Sequence, residues 1–374
     1  MTARPAIGRA LVGAARRPVD LVERGIVRPD EVEGLEAVTE RYAMLASDYY
    51  LSLIDPNDPD DPIRLQAVPD ARELVVAAGE RADPIGDHTH GVAELLVHRY
   101  PDRALLFPTL RCPMFCRYCF RKVTLNEETI RLRTALPAAL TYLRSHPEVR
   151  EVILSGGDPL MLSNTALAGL LAALRTVPSV EHLRIHTRMP VTLPMRVDGA
   201  LATLLSRHRP LVLVTHFNHP KELTPEAEAA VRALVDAGVV VLNQAVLLKG
   251  VNADSDTLAA LFGGLLRWQV RPYYLHHLDL TVGTSHFRVS LDEGIEIVRR
   301  LRGRTSGLAN PTYVVEIPGG GGKVPVDSGW VVREEPGVWR MRGPLGGVWR
   351  YVDPAVHPGG VAGTPPGATR LDAE

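Results

Sequence analysis

Residues Ala104–Lys122, ALLFPTLRCPMFCRYCFRK, decide how the rest of the chain is read. The segment opens as a short apolar run of strand character. It continues into Cys112, Cys116 and Cys119, spaced C-x-x-x-C-x-x-C. These are the only 3 cysteines of the chain. An odd, clustered set argues against a disulfide framework and for a metal site in a reducing compartment. Three thiolates suit an iron–sulfur cluster, but a [4Fe–4S] cube takes four ligands. With no fourth cysteine one iron stays open, which is a catalytic rather than a structural arrangement. Structural zinc would need another ligand, and the closest histidine, His98, lies before the strand.

Outward from this segment the chain repeats a strand-then-helix rhythm. Apolar, often β-branched runs follow at Glu151–Ser155, His182–Thr187, Leu211–Phe217, Val239–Val246, Tyr273–Leu278 and Thr312–Ile317. Between them, Asn164–Thr176, Pro225–Ala237, Ser255–Trp268 and Asp292–Leu301 carry helical periodicity, with start signals at Ser163 and Thr224-Pro225. Strands alternating with helices predict an α/β fold, a partial (β/α)6-type barrel over 96–326, whose active residues gather at the C-terminal ends of the strands. Polar and Gly-rich signatures fall at those ends: the cysteines, SGGD, HTR, HFNH, NQ, HHLD and EIPGGGGK. Residues 1–95 predict a helical and then extended N-terminal extension, in which Ile54–Pro62 (IDPNDPDDP) is a fixed loop. Residues 327–374 predict a short C-terminal segment, with a Pro/Gly-rich, disordered tail from Asp353.

Composition narrows the function classes. With 42 basic and 43 acidic residues among 374, a formal charge of −1 gives no electrostatic case for nucleic acid or a membrane surface as partner. No apolar run reaches the roughly 18 residues of a membrane helix. The Arg-rich start, MTARPAIGRALVGAARRPVD, reads as a short surface helix more readily than as a transit peptide, so a cytoplasmic location is expected.

PGGGGKVP, Pro318–Pro325, sets Gly319, Gly320, Gly321 and Gly322 directly before Lys323. As a phosphate-binding loop it fails twice, with Ile317 at the first required glycine and Val324 after the lysine. It can be a plain turn. It can also present a lysine at the end of a barrel strand for covalent attachment to pyridoxal phosphate (PLP).

The cysteine motif and the SGGD segment resemble those of the radical S-adenosylmethionine (SAM) superfamily. Together with YYLSLIDPNDPDDP, HRYPDRALL, LSGGDPL, THFNHP, NQAVLLKGVN and PGGGGKVP, they resemble the lysine 2,3-aminomutase family over roughly Tyr49 to Val326. That resemblance implies a [4Fe–4S] cluster on Cys112, Cys116 and Cys119, with SAM on the open iron and PLP on Lys323. Ser155, Gly156, Gly157, Asp158, Arg188, His216 and Gln244, with Asn218, would help hold SAM. Arg103 and Tyr100 would meet the PLP phosphate. The implied reaction is a radical-initiated 1,2-shift of an amino group, most simply L-lysine to β-lysine. Arg121 would bind the substrate carboxylate, and Asp279 and Glu316 its distal ammonium.

Some residues depart from the family's pattern. Glu316 stands where the lysine enzymes carry Asp, and His276 replaces an aromatic residue. Cysteines that bind zinc in clostridial members are absent, so no zinc is expected. CRYCFR, GGDPLM, RIHTR and YYLH are similar to the branch that makes (R)-β-lysine for elongation factor P. Arginine or ornithine remain alternative substrates. A non-mutase Fe–S carrier is the alternative from another class, although it would need neither PGGGGK nor the paired acids. The resemblance also implies an electron donor of flavodoxin or ferredoxin type and a homo-oligomer.

Overall fold

A computed structural model describes residues 11–123, 132–326, 329–342, 347–354, 356–357, 359–361, 364 and 367–371. Four short helices lead in: α1 (Pro18–Val22), α2 (Val32–Arg41), α3 (Asp48–Leu51) and α4 (Pro62–Ala67). The acidic loop before α4 is fixed by Asp61, which accepts from the N–H groups of Ile63 and Arg64 and pairs with Lys221 Nζ at 2.6 Å. Residues 1–10 of the Arg-rich start lie outside the described residues. Ala15, just beyond them, is buried and bridges Ala46.

One ten-stranded sheet then runs in strict chain order from β1 (Gly91–Ala93) to β10 (Gly322–Pro325). Its parallel body is β3 (Arg103–Thr109), β4 (Glu151–Gly156), β5 (His182–His186), β6 (Leu211–Thr215), β7 (Val240–Val246), β8 (Arg271–His276) and β9 (Thr312–Ile317). Antiparallel β1 and β2 (Leu96–Tyr100) flank one side and β10 the other. The sheet order leaves β1 and β10 unpaired with each other, so the barrel is partial.

Helical crossovers cover the outside: α5 (Leu132–Ser145), α6 (Asn164–Leu174), the short α7 (Met189–Thr192) with α8 (Gly199–Ser206), α9 (Pro225–Asp236), α10 (Ser255–Arg267) and α11 (Leu291–Leu301). Each longer helix buries one stripe. In α6 it is Leu167, Leu170, Leu171 and Leu174; in α10, Leu258, Leu261, Phe262 and Leu265. Such side chains contribute about 1.5–3 kcal/mol each on burial. Ser163, Thr224, Asp254 and Ser290 cap their helices by accepting backbone N–H groups, so the starts are set locally.

The C-terminal part differs from expectation. β11 (Val331–Glu335), β12 (Val338–Arg342), β13 (Val348–Val352) and β14 (Gly367–Leu371) form a separate antiparallel sheet. The stretch expected to be a disordered tail thus contains an edge strand, in register from Val348↔Leu371 to Val352↔Gly367. Backbone hydrogen bonds to a partner strand need no apolar side chains, so Pro/Gly content gave no sign of it.

Candidate active site

The C-terminal ends of the parallel strands close around a cavity of about 510 Å³. Its wall carries six cations, Arg99, Arg103, Arg121, Arg184, Arg188 and Lys323, against three acids, Asp158, Asp279 and Glu316. That excess suits ligands bearing carboxylates or phosphates.

Cys112, Cys116 and Cys119 line one side. Their loop is pinned to the N-terminal extension through Phe115 N–H to Leu45 O (2.8 Å) and Arg117 N–H to Gln66 O (3.0 Å). Burial, and then the charge of Cys116, push the Cys119 thiol up to about 11. Cys112 is raised well above the usual thiol range by burial, then by Asp158 and the other two thiols. Three thiolates this close destabilise one another unless a cationic centre compensates them, which is what an iron–sulfur cluster provides. Among the described residues no three His, Cys, Asp or Glu side chains are drawn to metal-ligand distances, the thiols included. The donor set and its shared cavity fit the cluster.

Behind the thiols lies the end of β4. Gly157 N–H bonds Thr109 O and Asp158 N–H bonds Arg111 O, each at 2.9 Å. A Cβ on Gly157 would stand 2.5 Å from the carbonyl carbon of Leu110 and the carbonyl oxygen of Arg111, so only glycine lets β4 approach the cysteine loop. Asp158 accepts from Thr187 Oγ1 (2.7 Å) and the N–H groups of Arg188 and Leu160, which orients its buried carboxylate. Arg188 Nη1 lies 3.0 Å from Cys116 Sγ, while its Nη2 contacts Glu222 and Gln66 at 2.6 Å and Tyr50 at 3.1 Å. His216 also faces the cavity. Burial and the Arg188 charge hold it well below the usual histidine range, hence neutral.

Lys323 also lines the cavity, but not as the sequence suggested. The glycines form the tip of a β9–β10 hairpin, with Gly319, Gly320 and Gly322 at positive φ, and Lys323 sits on the return strand facing Glu316. β10 is not parallel because the turn is too short for a crossover. Lys323 N–H bonds Tyr100 Oη at 2.8 Å, and the Arg103 guanidinium lies 3.8 Å over the Tyr100 ring. Arg99, Arg103 and Tyr100 beside a cavity lysine fit a phosphorylated aldehyde cofactor in charge and in donors. Glu316, nearly fully buried, pairs with Arg99 at 2.6 Å and with Lys323 Nζ at 2.8 Å.

Asp279 follows β8. Burial, and then the charge of Glu316, raise its carboxyl to about 7. His276 is lowered to about 3 by burial and by Lys323. Arg121 lines the cavity too, paired with Asp87 at 2.6 Å.

The structure brings the cysteines, Tyr100, Arg103, Arg121, Ser155 to Asp158, Arg188, His216, Gln244, Asp279, Glu316 and Lys323 to this one cavity. Gly319–Gly322 shape the hairpin rather than line the wall. Asn218 is not on the wall either: it is fully buried, holding Gln66 Oε1 (3.0 Å) and Val246 N–H (3.0 Å). Sequence reasoning missed Arg99, His186, Arg184 and Tyr274, which line the cavity, and Gln66 and Glu222, which hold Arg188. Arg99 had a usable signal in its place beside Tyr100. His186 and Tyr274 lay inside the HTR and YYLH segments already singled out, whereas Arg184, Gln66 and Glu222 carry no such signal.

Two family descriptions match the chain: Radical SAM superfamily over residues 106–262 and Lysine-2,3-aminomutase over 298–362. The L-lysine 2,3-aminomutase of Clostridium subterminale is 43% identical over 326 residues, covering 87% of this chain and 78% of that one. A putative L-lysine 2,3-aminomutase of Aquifex aeolicus is 44% identical, covering 82% and 84%. A glutamate 2,3-aminomutase of Clostridioides difficile is 39% identical, covering 79% and 70%.

Proposed function

The chain belongs to the lysine 2,3-aminomutase family of the radical SAM superfamily, and from that premise we propose that its cavity shifts the amino group of L-lysine from C2 to C3, giving β-lysine. The observation that carries this reading is the meeting of three cysteines, Lys323 and Asp279 in one cavity. The three cysteines would hold a [4Fe–4S] cluster, which would supply the electron that turns bound SAM into a source of a radical able to take hydrogen from carbon. Lys323 would hold PLP, which would supply a π-system able to delocalise an unpaired electron.

Positioning falls to the chain's own residues. Arg121 offers a planar fork for the substrate α-carboxylate. Asp279 meets the distal ammonium, whose charge draws its carboxyl into the ionised form. A glutamate side chain would bring a third carboxylate to Asp279 and Glu316, which disfavours it. Ser155–Asp158 and Arg188 hold the SAM side, and Tyr100 and Arg103 the PLP side. Fixing the reacting groups in one cavity replaces collisional encounter by proximity and keeps water from the radical. The same reading calls for a one-electron donor of flavodoxin or ferredoxin type, a cytoplasmic setting and a homo-oligomer. Among the described residues no helix is long and apolar enough to cross a membrane.

The test is an anaerobic assay of cluster-reconstituted protein with SAM, PLP, dithionite and L-lysine, read by mass spectrometry after derivatisation. β-Lysine formed without stoichiometric loss of SAM is expected. Uncoupled 5′-deoxyadenosine with no β-lysine would reject lysine and move the search to arginine and ornithine.

A further inference from the structure

Arg121 lines the cavity, and the fold fixes its guanidinium by edge and by plane. Asp87 Oδ2 accepts from Arg121 Nε at 3.0 Å and from Arg121 Nη2 at 2.6 Å. The guanidinium also lies over the Phe107 ring at 4.7 Å and over the Phe120 ring at 4.2 Å. A carboxylate on one edge and aromatic faces on the plane together set the orientation of a rigid fork. The side chains of Arg121 and Asp87 are only 11% and 15% exposed, so solvent screens the pair little.

Asp87 does not itself line the cavity; it belongs to a turn, 83–88, that the surrounding fold braces. Asp83 closes the turn by accepting from the N–H groups of Asp87 at 2.9 Å and His88 at 3.0 Å. Pro84 O accepts from Gly319 N–H at 2.8 Å, which ties the turn to the β9–β10 hairpin. Ile85 O accepts from Arg99 Nη1 at 3.0 Å, which ties it to β2. Gly86, at a φ of +74°, packs so closely that a Cβ there would stand 3.0 Å from Gly319 O. The place of Asp87 is therefore decided by the elements that build the cavity, 34 residues away from Arg121 in the chain.

We propose that Asp87 is a positioning residue for the reaction: it aims Arg121 at the substrate α-carboxylate and so sets the preference for an amino acid over its uncharged amide. The inference rests on the reading that Arg121 takes that carboxylate. A guanidinium carries five N–H donors in a fixed fork, so carboxylates on two of its edges are compatible. Repulsion between the two is offset by the surplus of cations on the cavity wall, six against three acids. An arginine held in advance loses little side-chain freedom when the substrate arrives, whereas an unanchored one gives up that freedom on binding.

The test measures equilibrium binding of L-lysine and of L-lysinamide to the chain reconstituted with cluster, SAM and PLP. Binding is read from the absorbance of PLP, with no reductant present, so that turnover does not intervene. Asp87→Asn keeps the size of the side chain and removes its charge. It is expected to weaken lysine about tenfold and lysinamide less than about twofold, the scale of one charge-assisted hydrogen bond and a misaligned partner. Asp87→Glu should fall between Asp87→Asn and wild type, and in both variants iron content and borohydride trapping of PLP at Lys323 should match wild type. Unchanged lysine binding in Asp87→Asn would show that Arg121 needs no anchor, and tighter binding would make Asp87 a competitor of the substrate; either overturns the proposal. Equal losses for lysine and lysinamide, or loss of iron and of trapped PLP in both variants, would make Asp87 a residue of the fold alone and overturn it too. Arg121→Gln is titrated alongside. If it keeps the wild-type preference for lysine over lysinamide, the carboxylate reading of Arg121 fails, and this proposal with it.

Discussion

In the proposed function Asp279 and Lys323 carry the residue-scale chemistry, and each gives a sharp expectation. The Asp279 carboxyl titrates near 7 because burial and Glu316 disfavour its charge. Below that pH it is mostly neutral and cannot pair with an ammonium; above it the ion pair forms. KM for lysine should therefore fall as pH rises from about 6 to 8, at constant SAM and PLP. Asp279→Asn should flatten this dependence and raise KM about 10- to 100-fold, the worth of a charge-assisted hydrogen bond. An unchanged KM in steady-state assays would remove Asp279 from the substrate site. Lys323→Ala should lose the absorbance band of bound PLP and the borohydride-trapped adduct while keeping its iron content. Persistence of the adduct would place PLP on another lysine.

At the element scale the question is how β4, the cysteine loop and the β9–β10 hairpin are held in register. Gly157 is the contact point of the first two. Gly157→Ala would drive a methyl against the Leu110 and Arg111 backbone at 2.5 Å, where no side chain can yield. A cost of about 1–3 kcal/mol is expected, as for overpacking generally, with weaker SAM binding by equilibrium dialysis. Wild-type melting and dialysis curves would show that the loop moves aside freely. The same element explains why SGGD is legible as sequence: a strand end that must touch a neighbouring backbone admits only glycine.

For the whole molecule, the joint between the N-terminal extension and the barrel decides stability. Glu73, fully buried in the extension, holds Arg117 at 2.6 Å and Lys122 at 2.9 Å on the cysteine loop. Lys122 also bonds Gly283 O at 2.7 Å, beyond Asp279. Glu73→Gln leaves two buried cations short of their counter-ion and should cost about 3–5 kcal/mol in urea unfolding. Against burial, which raises it, Arg117 and Lys122 hold the Glu73 carboxyl below its ordinary 4.5. Its stabilisation is thus complete above that value and is lost as pH falls through the lower, folded-state value. Acid unfolding of wild type should be steep below pH 4.5, and shallower in Glu73→Gln.

By itself, the sequence determined what depends on local spacing. Periodicity and caps placed the strands and helices, and C-x-x-x-C-x-x-C declared an open-iron cluster. The glycine run singled out Lys323 as a candidate. Tertiary structure alone decided what depends on register and burial. It put Lys323 on a return strand against Glu316, because the turn between Ile317 and Gly322 reverses the chain. It drew Asn218 off the wall and set Arg99, Arg184 and His186 on it, since which face of a strand end meets the cavity is fixed by the sheet. It gave Asp279 a carboxyl titrating near 7, a value that comes from desolvation and from Glu316, 37 residues further along the chain and on another strand end.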